Sequence, residues 1–183
     1  MVAVDWNQDQ KNSMENSKIE FTKDETRGYR LRAEMLVDLP IETVFSVFAN
    51  PMQLERLTPP WLNFTVLTPQ PIEMRQGLLL DYRLYLHHVP INWRTEIAVW
   101  EPPFRFVDQQ LRGPYYRWYH EHTFIEIDGK TWVKDDVHYI PRGGRLVHHW
   151  LVRPDLENIF RFRHQALINI FREMKSSLAM SRE

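Results

Sequence analysis

The feature that most constrains this chain is a single apolar stripe near its C-terminus. From Pro154 to Leu178, Leu156, Ile159, Phe160, Leu167, Ile170, Phe171, Met174 and Leu178 recur at helical spacing. That pattern predicts one long helix with one buried face. Pro154 suits its first position, Asp155 and Glu157 its positive end, and Arg172 and Lys175 its negative end. A stripe of that length requires a broad apolar surface opposite it. Arg163 falls inside the stripe. Either its head snorkels to the rim, or it meets a carboxylate or a ligand anion, because an unpaired buried charge is costly.

The remainder of the chain supplies the opposing surface. Tyr29 to Asp38 begins with strand alternation, and Pro40 opens a short helix over 41–49 with Val44, Phe45 and Phe48 on one face. Asn50-Pro51 breaks it, and a second short helix runs to about Leu57. Between Asn63 and Pro141, turn signals at Pro69–Pro71, Gln76-Gly77, His88–Pro90, Pro102-Pro103, Gly113-Pro114 and Asp128-Gly129 divide about six strands. Asp128-Gly129, between two aromatic and β-branched runs, predicts a tight hairpin. A further short strand is expected over 145–152, with His148 and His149 on its surface. Residues 1–27 are polar and read as a flexible tail, leaving 28–180 as one domain. The expected class is α+β: a curved antiparallel sheet closed by one long helix, with a cavity between them.

Composition narrows the function. The chain has 183 residues, a formal net charge of −1 and a pI near 6.7, so it lacks the broad basic footprint of a nucleic-acid binder. Without cysteine it has neither a thiolate nucleophile nor a cysteine-ligated metal. No apolar run approaches the ~20 residues of a membrane span, and the N-terminus lacks the apolar core of a signal peptide. A cytoplasmic location is the expectation. Aromatics reach 13%, with seven Trp, which suits a ring-lined cavity. Serines are sparse in the body of the chain and no G-x-S-x-G elbow is present, so serine hydrolysis has no support.

The densest chemistry lies between Tyr116 and Tyr139. Alternation puts Tyr116, Trp118, His120, His122 and Phe124 on one strand face, and Thr131, Val133, Asp135, Val137 and Tyr139 on the matching face of the next strand. Arg163 would arrive from the helix above, pairing with Asp135 directly or through His120 or His122. Such a cluster can bind a polar ligand end, orient a histidine for proton transfer, or merely satisfy itself as a structural network. His120-x-His122-x3-Glu126 has a cupin-like spacing, and imidazoles with a carboxylate suit a transition metal. The glycines and the later histidine that should accompany it are missing, so no bound metal is expected at those three residues.

Several motifs carry a resemblance to a known group. They are Leu57-Thr58-Pro59-Pro60-Trp61, Trp93, Trp100-Glu101-Pro102-Pro103-Phe104, Phe106-Val107-Asp108-Gln109, Gly113-Pro114-Tyr115, Trp118-x-His120-x-His122-x-Phe124, Asp135-x-Val137-x-Tyr139 and Ile159-Phe160-x-Phe162-Arg163. Over residues 29–178 the chain resembles the helix-grip superfamily of START domains, birch-pollen-allergen-like proteins and polyketide cyclases (SRPBCC). Within it, the chain is similar to the bacterial cyclase/dehydrase-like subgroup, which also occurs fused to epimerase-like proteins. The resemblance implies a sheet and two short helices wrapped around a long C-terminal helix, and a cavity for a small hydrophobic or amphipathic molecule. It does not imply catalysis. The expected ligand-binding set is Trp61, Trp93, Trp118, His120, His122, Phe124, Asp135, Tyr139, Phe160 and Arg163, with no cofactor. The rival reading is a cyclase or dehydratase in which His120 or His122 moves a proton and Asp135 orients it.

Overall fold

The computed structural model describes residues 18–24 and 28–180. Eight strands form one antiparallel sheet: β1 (Lys18–Lys23), β2 (Tyr29–Val37), β3 (Thr65–Val66), β4 (Leu79–Leu86), β5 (Val89–Glu101), β6 (Arg105–Arg112), β7 (Tyr115–Ile127) and β8 (Lys130–Pro141). Their spatial order is β1-β2-β8-β7-β6-β5-β4-β3, so the second strand closes against the last. Helices α1 (Ile41–Phe48) and α2 (Gln53–Leu57) interrupt the sheet after β2, and the long helix α4 (Arg153–Met180) follows it. This is the helix-grip arrangement that the resemblance implies, with one long helix closing the sheet as the stripe requires.

Local chemistry explains the main turns. Asp128 and Gly129 adopt left-handed backbone (φ 52° and 73°) between the paired Ile127 and Lys130, the conformation of a two-residue hairpin turn. His87 and His88 do the same between β4 and β5, where no glycine relieves the strain. Register shifts within β5 and near the start of β7 add local bends to the sheet.

Leu156, Phe160, Leu167, Ile170 and Phe171 of α4 are buried, as the stripe requires. They divide between two apolar clusters. Leu156 and Phe160 pack with Trp93, Trp118, Val137 and Tyr139, whereas Leu167, Ile170 and Phe171 pack with Phe45, Phe48, Phe106 and Phe124. Arg163 lies between the two groups along the helix.

Four expectations need correction. Lys18–Lys23, placed in the flexible tail, is a strand paired with β2. Its Ile19 and Phe21, two residues apart, turn onto the apolar interior opposite Ala33 and Leu31. The remainder of the expected tail, residues 1–17 and 25–27, lies outside the described residues except for Asp24, as does the side chain of Leu178. The segment expected as a strand over 145–152 is helical: α3 (Gly144–Val147) and a π-turn (His148–Val152) run directly into α4. Gly143 supplies the left-handed residue that starts it (φ 89°). His148 is accordingly no surface residue. It is 7% exposed, hydrogen-bonds through Nε2 with the Tyr139 hydroxyl (2.9 Å), and stacks on Tyr29. Tyr116 also turns outward, because the irregularity near the start of β7 puts Tyr115 inside and leaves Tyr116 69% exposed under the Arg142 guanidinium.

Burial, then the charges of Arg153 and His149, push the His148 imidazole down to about 4 from its ordinary 6.5. Between those values the unfolded chain binds the proton and the folded chain does not, so stability falls as pH drops through that window. We expect wild-type protein to lose about 1–3 kcal/mol more than His148→Gln between pH 7.5 and 4.5 in urea unfolding. Equal losses would refute the assignment.

Candidate functional site

The concave face of the sheet, α1–α2 and α4 enclose a cavity of about 180 Å³. Most of its wall is apolar: Leu84, Trp93, Ile97, Phe106, Trp118 and Leu156 are among the residues that line it. Its polar wall consists of Asp108, His120, His122 and Arg163, with Tyr82 and Thr95 beside them. The Thr95 hydroxyl sits 2.8 Å from the Tyr82 hydroxyl and accepts from Trp93 Nε1 at 3.0 Å, so those groups satisfy one another.

Strand register builds the charged part. Asp108 on β6 stands opposite His120 on β7, and His122 on β7 stands opposite Asp135 on β8. The hydrogen bonds run along the diagonals. His122 Nε2 bonds Asp108 Oδ2 at 3.2 Å, and His120 Nε2 bonds Asp135 Oδ1 at 3.1 Å. The remaining ring nitrogens also face carboxylates. His120 Nδ1 is 3.5 Å from Asp108 Oδ2, and His122 Nδ1 is 2.6 Å from Asp135 Oδ1 but out of line for a hydrogen bond. Two imidazoles, 3.8 Å apart at their centroids, are thus held between two carboxylates. Phe106 stacks on His122 at 4.1 Å and Trp118 meets His120 edge-on, which fixes both rings.

Arg163 reaches the cavity from α4 and its guanidinium lies over the Phe48 ring. Its Nε is buried without a hydrogen-bond partner. Among the described residues it forms no direct ion pair with Asp135, so the expected direct pairing is absent and the two interact through space. The charges separate in response. Burial alone raises both carboxyls. For Asp108, the charges of His120, His122 and Arg163 and the His122 hydrogen bond outweigh it and hold the carboxyl below its ordinary range. The same balance, led by His122 and Arg163, holds Asp135 well below it. Burial and the neighbouring His122 push His120 down, whereas the flanking carboxylates overcome burial and raise His122.

The ten residues expected to meet a ligand are distributed unevenly. Trp93, Trp118, His120, His122 and Arg163 line the cavity. Asp135 lies behind the two histidines and, with Phe160, Arg163 and His164, lines a smaller void beneath α4. Trp61 is 57% exposed and packs edge-on against Phe162, away from the cavity. Phe124 belongs to the solid core under α1, and Tyr139 is engaged by His148. Glu126 sits at the far end of β7, where it accepts from the Ile41 amide at 3.5 Å, so it does not join the histidines in a cupin-like triad. The sequence reading missed Asp108. Its signal was available, since alternation from Phe106 places it on the same face.

Comparisons bear on the fold and the family. A family model described as polyketide cyclase / dehydrase and lipid transport matches residues 37–168. No curated protein matches the chain. Among solved structures the chain is similar to protein Ms6760 from Mycobacterium smegmatis, with a TM-score of 0.62 and 16% identity, covering 86% of this chain and 99% of that one. It is similar to the Zhui aromatase/cyclase from Streptomyces sp. R1128, with a TM-score of 0.59, 14% identity, and coverage of 78% and 93%. A START superfamily protein from Mycobacterium smegmatis gives 0.58, 10%, 77% and 98%. At such identities these likenesses are of fold. No helix among the described residues is long and apolar enough to cross a membrane.

The cluster's two carboxylates differ in exposure, 8% for the Asp135 side chain and 19% for Asp108. Asp135→Ala strands the raised His122 in a dry interior and is expected to cost ~3–5 kcal/mol in urea unfolding. Asp108→Ala opens onto the cavity, where water replaces it, and is expected to cost ~1–2 kcal/mol. Equal costs would mean that the two positions are equally desolvated.

Proposed function

The chain belongs to the polyketide cyclase / dehydrase and lipid transport family, and on that premise we propose that it binds a small, mainly apolar molecule carrying one oxygen-bearing polar end. The body of the ligand lies against Trp93, Trp118 and Leu84. Its polar end meets Arg163 beside His120, His122 and Asp108. The observation that carries this reading is the partnerless, buried Arg163 Nε at the wall of an apolar cavity. A buried donor left without an acceptor costs free energy, and a ligand carbonyl, carboxylate or phenolate supplies that acceptor. The apolar wall contributes affinity without direction, and the polar wall fixes which end enters first.

Two fluorescent probes test this. 8-Anilinonaphthalene-1-sulfonate has an apolar body and an anionic end, whereas 1-aminoanthracene has a similar body and no anion. Arg163→Met keeps the apolar stem. It is expected to weaken the sulfonate probe by ~10–100-fold, the range set by a hydrogen bond to a charged group at ~1.5–3 kcal/mol. The neutral probe should bind almost unchanged. Equal affinity of both proteins for the sulfonate probe would show that the arginine does not face the ligand.

A second reading, proton transfer in a cyclase or dehydratase, is favoured by one observation. His120 and His122 line the cavity with carboxylates fixed against their ring nitrogens, the arrangement that orients an imidazole toward a substrate. Native mass spectrometry of copurifying molecules separates the readings. If the protein dehydrates its ligand, His120→Gln retains a species heavier by one water than the wild type does. Identical masses favour simple binding.

A further inference from the structure

We propose that Asp108, His120 and His122 form a site for one divalent first-row transition-metal ion, open to the cavity and backed by Asp135. The inference shares the cavity with the ligand reading but requires no apolar ligand. It also departs from the expectation of no metal at His120, His122 and Glu126, which rested on the incomplete cupin-like pattern. The structure sets Glu126 aside and brings Asp108 from a neighbouring strand instead.

Geometry comes first. Asp108 Oδ2 lies 3.2 Å from His122 Nε2 and 3.5 Å from His120 Nδ1, and one ligand atom from each residue falls within 4.8 Å of the others. Ligand atoms bound at ~2.0–2.2 Å around one metal stand ~3.0–3.5 Å apart in octahedral or tetrahedral geometry. The two separations to Asp108 fall in that range, and the third, between the imidazoles, lies within 4.8 Å and closes with a small movement of the rings.

Donor counting comes second. All four ring nitrogens of the two histidines face carboxylate oxygens. If each nitrogen carried a proton, both rings would be cations, 3.8 Å apart, in an interior that already holds Arg163. If either ring is neutral, one of its lone pairs lies close to a carboxylate oxygen with no proton between them. A metal on the Asp108 side resolves the conflict. It takes one lone pair from each ring and an oxygen of Asp108. Each ring keeps one N–H on the Asp135 side: His120 Nε2 is already hydrogen-bonded there, and His122 Nδ1, 2.6 Å away, aligns with a small rotation of its ring. A carboxylate behind metal-binding imidazoles is the usual arrangement for fixing their tautomer. Asp135, the more deeply buried carboxylate, occupies that outer place, while Asp108 lines the cavity.

Chemistry comes third. Two imidazoles and one carboxylate suit ferrous iron, zinc or manganese, and three protein donors leave positions free for a ligand oxygen. The free positions face the apolar cavity. The site would therefore hold the oxygen-bearing end of a molecule whose body fits that cavity.

The test uses the full chain after chelator treatment, titrated with Co2+ and then Zn2+. We expect one equivalent of Co2+ with visible ligand-field absorption, displaced by Zn2+. Asp108→Asn and His122→Gln should each weaken binding by ~100-fold or more, Asp135→Asn by ~10–100-fold, and Glu126→Gln not at all. Absence of a stoichiometric visible signal in the wild type overturns the proposal. So does stoichiometric binding that survives both Asp108→Asn and His122→Gln, which would place the ion elsewhere, such as the adjacent His87 and His88. Should a variant fail to fold, the anomalous difference peak in a Co2+-loaded crystal of the unaltered protein decides the location. Probe binding by metal-free protein tests the ligand reading separately, so the two can fail independently.

Discussion

The interior is organised around four groups on three neighbouring strands, Asp108, His120, His122 and Asp135, with Arg163 above them. Buried ionisable groups tolerate few arrangements, because each charge must face an opposite one and each donor an acceptor. Alternating the two residue types across β6, β7 and β8 meets that demand only in the observed register. A slip of one residue in either pairing would turn the carboxylates or imidazoles to the other face of the sheet. The polar cluster therefore specifies the fold even where its net contribution to stability is small.

That cluster also explains why the interior is not one continuous core. The apolar side chains of α4 divide into two groups, and Arg163 stands at the division. One group closes tightly under α1, where Phe45, Phe48, Phe106 and Phe124 meet edge to face. On the other side large rings, among them Trp93 and Trp118, surround the polar wall, and the cavity remains between them. Rigid rings held by neighbours cannot collapse into the space as aliphatic chains would.

Much of this was legible in the sequence because it depends on periodicity. The stripe on α4, the alternation around His120 and His122, the Asp128-Gly129 turn and the helix opened by Pro40 are local patterns with local causes. What was not legible depends on pairing or on context. Asp108 carries the same alternation signal as Phe106, but its importance appears only when β6 is set against β7. Tyr116 was misplaced because a bulge shifts the parity of β7, and no residue type announces that shift. The run Leu146-Val147-His148-His149-Trp150-Leu151-Val152 has strand-like composition, yet it lies on the approach to α4 and adopts helical backbone. There continuity with a long helix overrides propensity. Ile19 and Phe21 were hidden by polar neighbours, since two apolar residues do not stand out until a sheet edge receives them.

The balance of charge bears on both functional readings. Two carboxylates and one guanidinium leave the cluster with a net negative charge when the imidazoles are neutral, and neutral imidazoles are what burial favours. A cation must then arrive, as a proton on one ring or as a metal ion between the rings and Asp108. A proton supports binding and acid–base work at a single nitrogen. A metal draws the ligand's oxygen to itself, with Arg163 as a second anchor on the same side of the cavity. In either case the arginine in the helix stripe has the same physical reason to be there. At this cluster the concave face holds two carboxylates, Asp108 and Asp135, that neutral imidazoles cannot neutralise, and α4 is the element that covers them.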